Sequence, residues 1–218
     1  MRRERKKLAE EIPRQREVEL YRNASFLFNK NGYAVTSMRQ ICRAIGIRES
    51  SLYHYIKGKE KLLYNICRRS MLQSLEAIEP IVHSPLRSDL KLRKMIETHI
   101  INLTENIDGH GTMLKELRSL SPRNKREIIK LRDRYEAFFR KIIADCVKGK
   151  FYRPINVKMA NFALLGMMNW LMQWFSGNGP MKSKDIARIY SDLFFKGLPR
   201  RDRNSKKGDL NRLNGNIN

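Results

Sequence analysis

Cysteine is scarce. Cys42, Cys67 and Cys146 are the only three in 218 residues. They are odd in number, far apart and form no CxxC pair. That excludes a disulfide scaffold, argues against zinc and suits a reducing compartment such as the cytoplasm. Acidic residues are also few: 22 Asp plus Glu stand against 45 Lys plus Arg, for a formal net charge of +23. An imbalance of that size points to polyanionic partners: nucleic acid, an anionic membrane or phosphorylated ligands. A long apolar run is missing too. The longest uncharged stretch, Met159 to Met181, is broken by Asn161, Asn169, Gln173 and Asn178. A spanning helix needs about 20 mostly apolar residues, so this stretch reads as a buried helix and no membrane partner is expected. The charged start (Arg2, Arg3, Arg5, Lys6, Lys7) is not followed by the apolar segment of a secretory signal. No GxSxG, HExxH, P-loop or GxGxxG pattern occurs, and His54, His83, His99 and His110 lack metal-ligand spacing. The expectation is therefore no metal, no cofactor and no enzymatic activity.

Apolar residues make up 41% of the chain and aromatics 9%, enough to bury a real core. Basic charge is spread throughout, with 15 basic and 7 acidic residues over 1–61 and 24 and 13 over 62–198. The first segment has the higher charge density. Composition divides the chain into a basic flexible arm (1–13), a compact basic module (14–60), a larger apolar body (61–198) and a basic disordered tail (199–218) with almost no apolar residues. Arm and tail each keep two readings, a solvated extension or a DNA-contacting one.

Helical periodicity dominates, and no run alternates with period two for long enough to suggest a sheet. Val18, Tyr21, Ser25 and Phe28 recur at helical spacing after Pro13, and Gly32 ends that helix. Ser37 is placed to cap a short helix over Met38–Ile45. After Gly46, Ser50 or Ser51 opens another through Ile56. Longer helices are predicted over Lys59–Glu79 (stopped by Pro80), Ser88–Asn106, Thr112–Leu117, Ser121–Lys148, Val157–Phe175 and Ser183–Leu198. The prediction is an all-α protein of about nine helices.

The segment from Thr36 to Ile56 carries the strongest local signal. Two short helices can cross closely only with a small residue in the first and a glycine at the turn, and Cys42 and Gly46 supply these. Ile41, Ile45, Ile47, Leu52 and Ile56 fall where they would seal the pair against a third helix. Ser50, Ser51, Tyr53, His54 and Tyr55 are left to face outward, and hydroxyls, phenols and an imidazole suit phosphate and base-edge contacts. Lys57 and Lys59 then stand at the start of the next helix, where the dipole also favours a phosphate.

Ala24-x-x-Leu27-Phe28-x-x-x-Gly32-Tyr33-x-x-Thr36-Ser37-Met38-x-x-Ile41, followed by Leu52-Tyr53-His54-Tyr55-Ile56-x-x-Lys59-Glu60-x-Leu62-Leu63, closely resembles the TetR family of bacterial transcription regulators over residues 14–66. The resemblance implies an all-α homodimer with an N-terminal helix-turn-helix DNA-binding domain and a C-terminal ligand-binding and dimerisation domain. Carried over position by position, it implies DNA contacts at Thr36, Ser37, Arg48, Ser50, Ser51, Tyr53, His54, Tyr55 and Lys59. Cys42 stands where the family commonly has Ala.

In the C-terminal half, Val157–Phe175 is apolar on nearly every face, as expected of a helix buried on both sides. Ile186, Ile189, Tyr190, Leu193 and Phe194 make one apolar stripe on the last helix. Two such helices from each subunit would form a four-helix dimer seam, and a two-fold dimer matches a palindromic operator on double-stranded DNA. Glu116–Pro122, Leu131–Glu136 with Phe139, Leu164–Trp174 and Gly177–Pro180 are similar to TetR-type regulators of fatty-acid and steroid degradation that respond to acyl-CoA thioesters. Phe175-Ser176 stands where that subgroup often has an aromatic followed by Arg. The similarity implies a ligand set of Met113, Arg118, Arg134, Tyr135, Met167, Asn169, Trp170 and Trp174. The Met and Trp residues would wall an apolar tunnel, with plain core packing as the alternative for each Met. The basic run Arg123 to Arg134 reads either as a solvated face or as a holder of coenzyme A phosphates. The expected function is a repressor released from its operator by a small molecule. A ligand-independent architectural DNA-binding protein and a CoA-dependent enzyme remain as alternatives.

Overall fold

A computed structural model describes residues 2–152 and 154–197, without the side chains of residues 2–14, 54 and 55. The basic tail lies outside the described residues, as do the side chains of the arm. Among the described residues all regular structure is helical. The elements are α1 (Arg2–Asn31), α2 (Met38–Ala44), α3 (Glu49–Tyr55), α4 (Lys59–His83), α5 (Ser88–Glu105), α6 (Ile107–Glu116), a 3-10 turn (Leu117–Ser119), α7 (Pro122–Lys148), α8 (Val157–Asn169), α9 (Leu171–Trp174) and α10 (Ser183–Lys196).

Local chemistry accounts for most boundaries. The Gln40 backbone N–H donates to Ser37 Oγ at 3.2 Å while the Ser37 N–H donates to Gln40 Oε1 at 2.7 Å, a reciprocal cap on α2. Ser121 caps α7 with Pro122 at the first helical position. Gly32 leaves α1 at φ +90°, a left-handed conformation that favours glycine.

Several boundaries differ from the sequence-based expectation. α1 is assigned back to Arg2, through Pro13. α3 begins at Glu49, with Arg48 as its extended N-cap, so Ser50 lies inside the helix. α4 continues past Pro80 to His83. Proline removes one backbone donor, but Pro80 faces solvent while Ile78 and Val82 are buried, and that burial carries the last turn. Val157–Phe175 is two helices, since Trp170 ends α8 and a four-residue α9 follows.

α4, α5 and α7 pack against one another at the centre of the body. α8 lies on α7, α10 on α5, and α6 fills the space between α4 and α1. One continuous core runs from Leu20, Ala24 and Phe28 through Leu62, Leu63 and Ile78 to Ile96, Phe139 and Leu164. The small head and the large body therefore share buried apolar surface.

Candidate nucleic-acid interface and effector domain

The head is built from α1, α2 and α3. Gly46 turns the chain at φ +68°. Ile41, Cys42, Leu52 and Ile56 are buried beneath it, with Ile45 and Ile47 packed at the rim. This packing sends the other face of α3 outward. Arg48, Ser50 and Tyr53 are exposed, Tyr53 by 50%, and none of their side chains hydrogen-bonds within the described residues. Ser37 is exposed at the start of α2. Ser51 is half-buried and lines a groove of about 800 Å³ with Ile47, Arg48 and, from α1, Arg16 and Leu20. The side chains of His54 and Tyr55 lie outside the described residues.

Two expected contacts are corrected by their surroundings. Thr36 is 1% exposed. Its hydroxyl donates to the Gly32 carbonyl at 2.8 Å and lies 3.3 Å from that of Leu27. It locks the end of α1 and does not present itself to a ligand. Lys59 is drawn back: Nζ donates to the Ala34 carbonyl at 3.1 Å and sits 4.3 Å from the Tyr33 ring centroid. Partial burial lowers its pKa from the ordinary lysine value. Lys57, just before Gly58, is the exposed cation at this corner.

The head is joined to the body chiefly through α6. Asn29 Nδ2 donates to Asp108 Oδ1 at 2.9 Å, and Lys115 Nζ donates to Asn29 Oδ1 at 2.9 Å. Thr112 Oγ1 donates to the Ser25 carbonyl at 3.0 Å, and the Tyr33 N–H donates to Glu116 Oε1 at 3.0 Å. Gly111 makes this approach possible, because a Cβ there would lie 2.5 Å from Asn29 Oδ1. The sequence-based helix began only at Thr112, whereas α6 begins at Ile107. Gly109 and Gly111 weaken helix propensity but permit close packing.

Inside the body, Tyr135 and Met113 are buried, and Met167 and Asn169 are half-buried. The Tyr135 hydroxyl lies 2.8 Å from His99 Nδ1. Four other expected ligand residues lie at the surface. Arg118 is exposed, Arg134 pairs with Glu79, and Trp170 and Trp174 are 64% and 47% exposed. The two tryptophans thus do not wall an interior tunnel, because the break at Trp170 turns them outward.

Sequence reasoning passed over three buried polar side chains: His99, His110 and Asn161. Burial pushes the His99 pKa down to about 3 and the His110 pKa down to about 4, so both rings are neutral near pH 7. His110 Nε2 is 2.9 Å from Asn102 Oδ1. His99 Nε2 and both amide atoms of Asn161 are buried without a hydrogen-bond partner. A polar residue on the apolar stripe of a predicted helix was the only available signal.

A second face of the body is open and apolar. Met159, Phe162, Trp170 and Trp174 are exposed along α8 and α9, and Ile189 and Leu193 on α10. Met159, Phe162, Ala163, Gly166 and Trp170 recur at helical spacing, and all are exposed. The expected α10 stripe divides. Ile189 and Leu193 face out, and Tyr190 and Phe194 are half-buried, with Phe194 edge-on to Tyr152 at 6.0 Å. Ile186 is 1% exposed and belongs to the subunit core, which corrects its assignment to a dimer seam.

A three-helix head with an outward third helix, fastened to a larger helical body, defines a helix-turn-helix DNA-binding protein with a regulatory domain. Residues 20–66 match the family described as bacterial regulatory proteins, tetR family. Residues 86–198 match the tetracyclin repressor-like C-terminal domain. The chain belongs to the TetR family and is a transcription regulator. It is 25% identical over 186 residues to the HTH-type transcriptional repressor KstR2 of Rhodococcus jostii, covering 84% of this chain and 91% of that one. The fold matches the TetR family regulator PfmR of Thermus thermophilus with a TM-score of 0.78 and 35% identity, over 83% of this chain and 99% of that one. It also matches AibR, solved in complex with isovaleryl coenzyme A and operator DNA, with a TM-score of 0.72 and 24% identity over 83% and 98% of the two chains.

Proposed function

We propose that this protein is a cytoplasmic homodimeric repressor that binds a palindromic operator through α3 and is released by a CoA thioester. It is a binding protein, not an enzyme. The observation that carries the DNA-binding part is the outer face of α3. Arg48, Ser50 and Tyr53 are held out by a buried underside and make no side-chain hydrogen bonds within the described residues. Such groups position a protein on phosphates and read base edges. Ser37 and Lys57 flank that face.

The apolar strip along α8 to α10 supports the dimer. Exposed patches of this kind mark interaction surfaces, and a two-fold dimer presents two heads to successive major grooves. Support for a CoA thioester comes from relatives. AibR shares the fold, and its complex holds isovaleryl coenzyme A together with operator DNA. Basic side chains on α7, among them Arg123, Arg126 and Arg132, are exposed and suit the coenzyme's phosphates. Release requires that the effector bind the non-DNA conformation more tightly than the DNA-bound one.

A gel-shift assay on the DNA upstream of the protein's own gene, with and without acyl-CoAs, tests the whole reading. Discrete binding reversed by a thioester supports it. Binding to any duplex, indifferent to thioesters, points to an architectural protein. Consumption of the thioester points to an enzyme. Operator binding that no CoA compound reverses at near-millimolar concentration removes the effector class and leaves the regulator.

A further inference from the structure

His99 is a buried polar group with one ring nitrogen paired and the other without a partner. It sits in the middle of α5, packed among Tyr135 and Phe139 of α7, with ring centroids 5.8 and 6.1 Å away. Its Nδ1 faces the Tyr135 hydroxyl at 2.8 Å. Tyr135 is buried, and its O–H has no other partner among the described residues. If the ring donated to the phenol, the phenolic proton would have nowhere to go. The arrangement that wastes fewest hydrogen bonds has Tyr135 donating to Nδ1, which leaves the ring proton on Nε2. That N–H is buried and unpartnered. Asn169, at the end of α8, comes near enough to favour the charged ring slightly, but it does not reach hydrogen-bond geometry with Nε2.

A buried N–H without an acceptor is costly, so native cores seldom keep one without a use. The ring is neutral, which makes it a poor site for a carboxylate and a good donor to an uncharged oxygen. Chain breaks and exposure beside it show how such an oxygen could arrive. α8 ends at Asn169, Trp170 stands 64% exposed, and the short α9 lies against α5 and α6.

We propose that the Nε2–H of His99 is the binding point for an uncharged carbonyl oxygen of the effector, admitted at the α8–α9 break. This rests on the CoA-thioester reading above, and the carbonyl has two possible sources: the thioester itself, or a keto group farther along the acyl chain. Tyr135 does not touch the effector. It is a positioning residue that directs the ring proton to Nε2. The carbonyl would also displace α9 from its place against α6, the helix that holds α1.

The test compares ligands that differ in one oxygen. Dissociation constants are measured for saturated acyl-CoAs of about four to sixteen carbons, for the matching S-alkyl-CoA thioethers, and for thioethers carrying a keto group in the chain. The wild-type protein is expected to bind each recognised thioester at least about ten-fold more tightly than its thioether. His99→Phe should bring the two within about two-fold. Tyr135→Phe keeps the shape of the core but no longer directs the proton, so it should narrow the ratio without reversing it. Recovery of tight binding by the keto thioethers assigns the carbonyl to the chain; failure to recover assigns it to the thioester. Equal binding of thioester, thioether and keto thioether by the wild type, a comparison that needs no variant, overturns the assignment and leaves the CoA reading intact. A ratio unchanged in His99→Phe also overturns it. If no CoA compound binds, both fall together.

Discussion

At the scale of single residues, the head separates groups that hold it together from groups left free. Tyr53 is free. Tyr53→Ala should weaken operator binding about ten-fold, the size of a lost hydrogen bond to a phosphate, and leave the melting temperature unchanged. Gel shifts at matched salt and thermal unfolding check this pair of outcomes. Lys57 and Lys59 should part company. Lys57→Ala should lower the slope of log affinity against log salt by about 1 at no cost in stability. Lys59→Ala removes the link to the Ala34 carbonyl and Tyr33, so it should lower the melting temperature and leave the salt slope nearly unchanged. Equal effects of both on salt slope and melting would contradict this division.

The two buried histidines make stability depend on pH. Their folded pKa values, about 3 for His99 and about 4 for His110, lie below the ordinary 6.5. Between pH 6.5 and about 4 the unfolded chain takes up protons that the folded chain refuses. Stability is therefore full above pH 6.5 and falls on acidification, by up to about 1.4 kcal/mol per pH unit for each ring. Urea unfolding at pH 7.5, 6 and 5 should show this loss, and the double variant His99→Phe, His110→Gln should flatten it. A wild-type profile flat across that window would contradict the burial of both rings.

At the scale of elements, α6 is the joint between head and body. Its contacts to α1 depend on the absence of a side chain at Gly111, and Asn29 opposite cannot move aside without giving up Asp108 and Lys115. Gly111→Ala should cost about 1–3 kcal/mol through overpacking. It should also separate the two functions, with operator affinity and effector affinity less tightly linked. Effector titrations of the DNA-bound and free variant measure that coupling; an unchanged coupling would remove α6 from the route. The same helix shows why reading elements from sequence is uneven. α2 and α7 were plain because caps and apolar spacing agree in them. α6 was cut short because its glycines serve α1, a neighbour far off in the chain. The Trp170 break was hidden because Leu164 to Trp174 is almost uniformly apolar, and periodicity cannot mark a corner within such a run.

At the scale of the whole molecule, the apolar strip of α8 to α10 asks for a partner copy. Leu193→Asp should place an unpaired charge in that seam and yield a monomer that fails on palindromic DNA. Ile186→Asp should instead unfold the subunit, since Ile186 lies in its own core. Light scattering with circular dichroism distinguishes the two, and a wild-type protein that is monomeric at micromolar concentration would refute the dimer.

The amino-acid sequence by itself determined the helical class, the helix-turn-helix and the outward placement of Ser50 and Tyr53 on α3. Those follow from local rules: a helical periodicity of about 3.6 residues, a capping serine, a small residue and a glycine at a tight crossing. It also marked Val157–Phe175 as apolar on nearly every face and the last helix as apolar along one stripe. Only the tertiary structure decided which residues of those helices point in and which point out. It turned Thr36 and Ile186 inward and Trp170 and Trp174 outward, and it brought His99 beneath Tyr135, 36 residues away. Such choices depend on which surface each helix meets. No stretch of sequence encodes that alone, because burial is settled jointly by segments far apart in the chain.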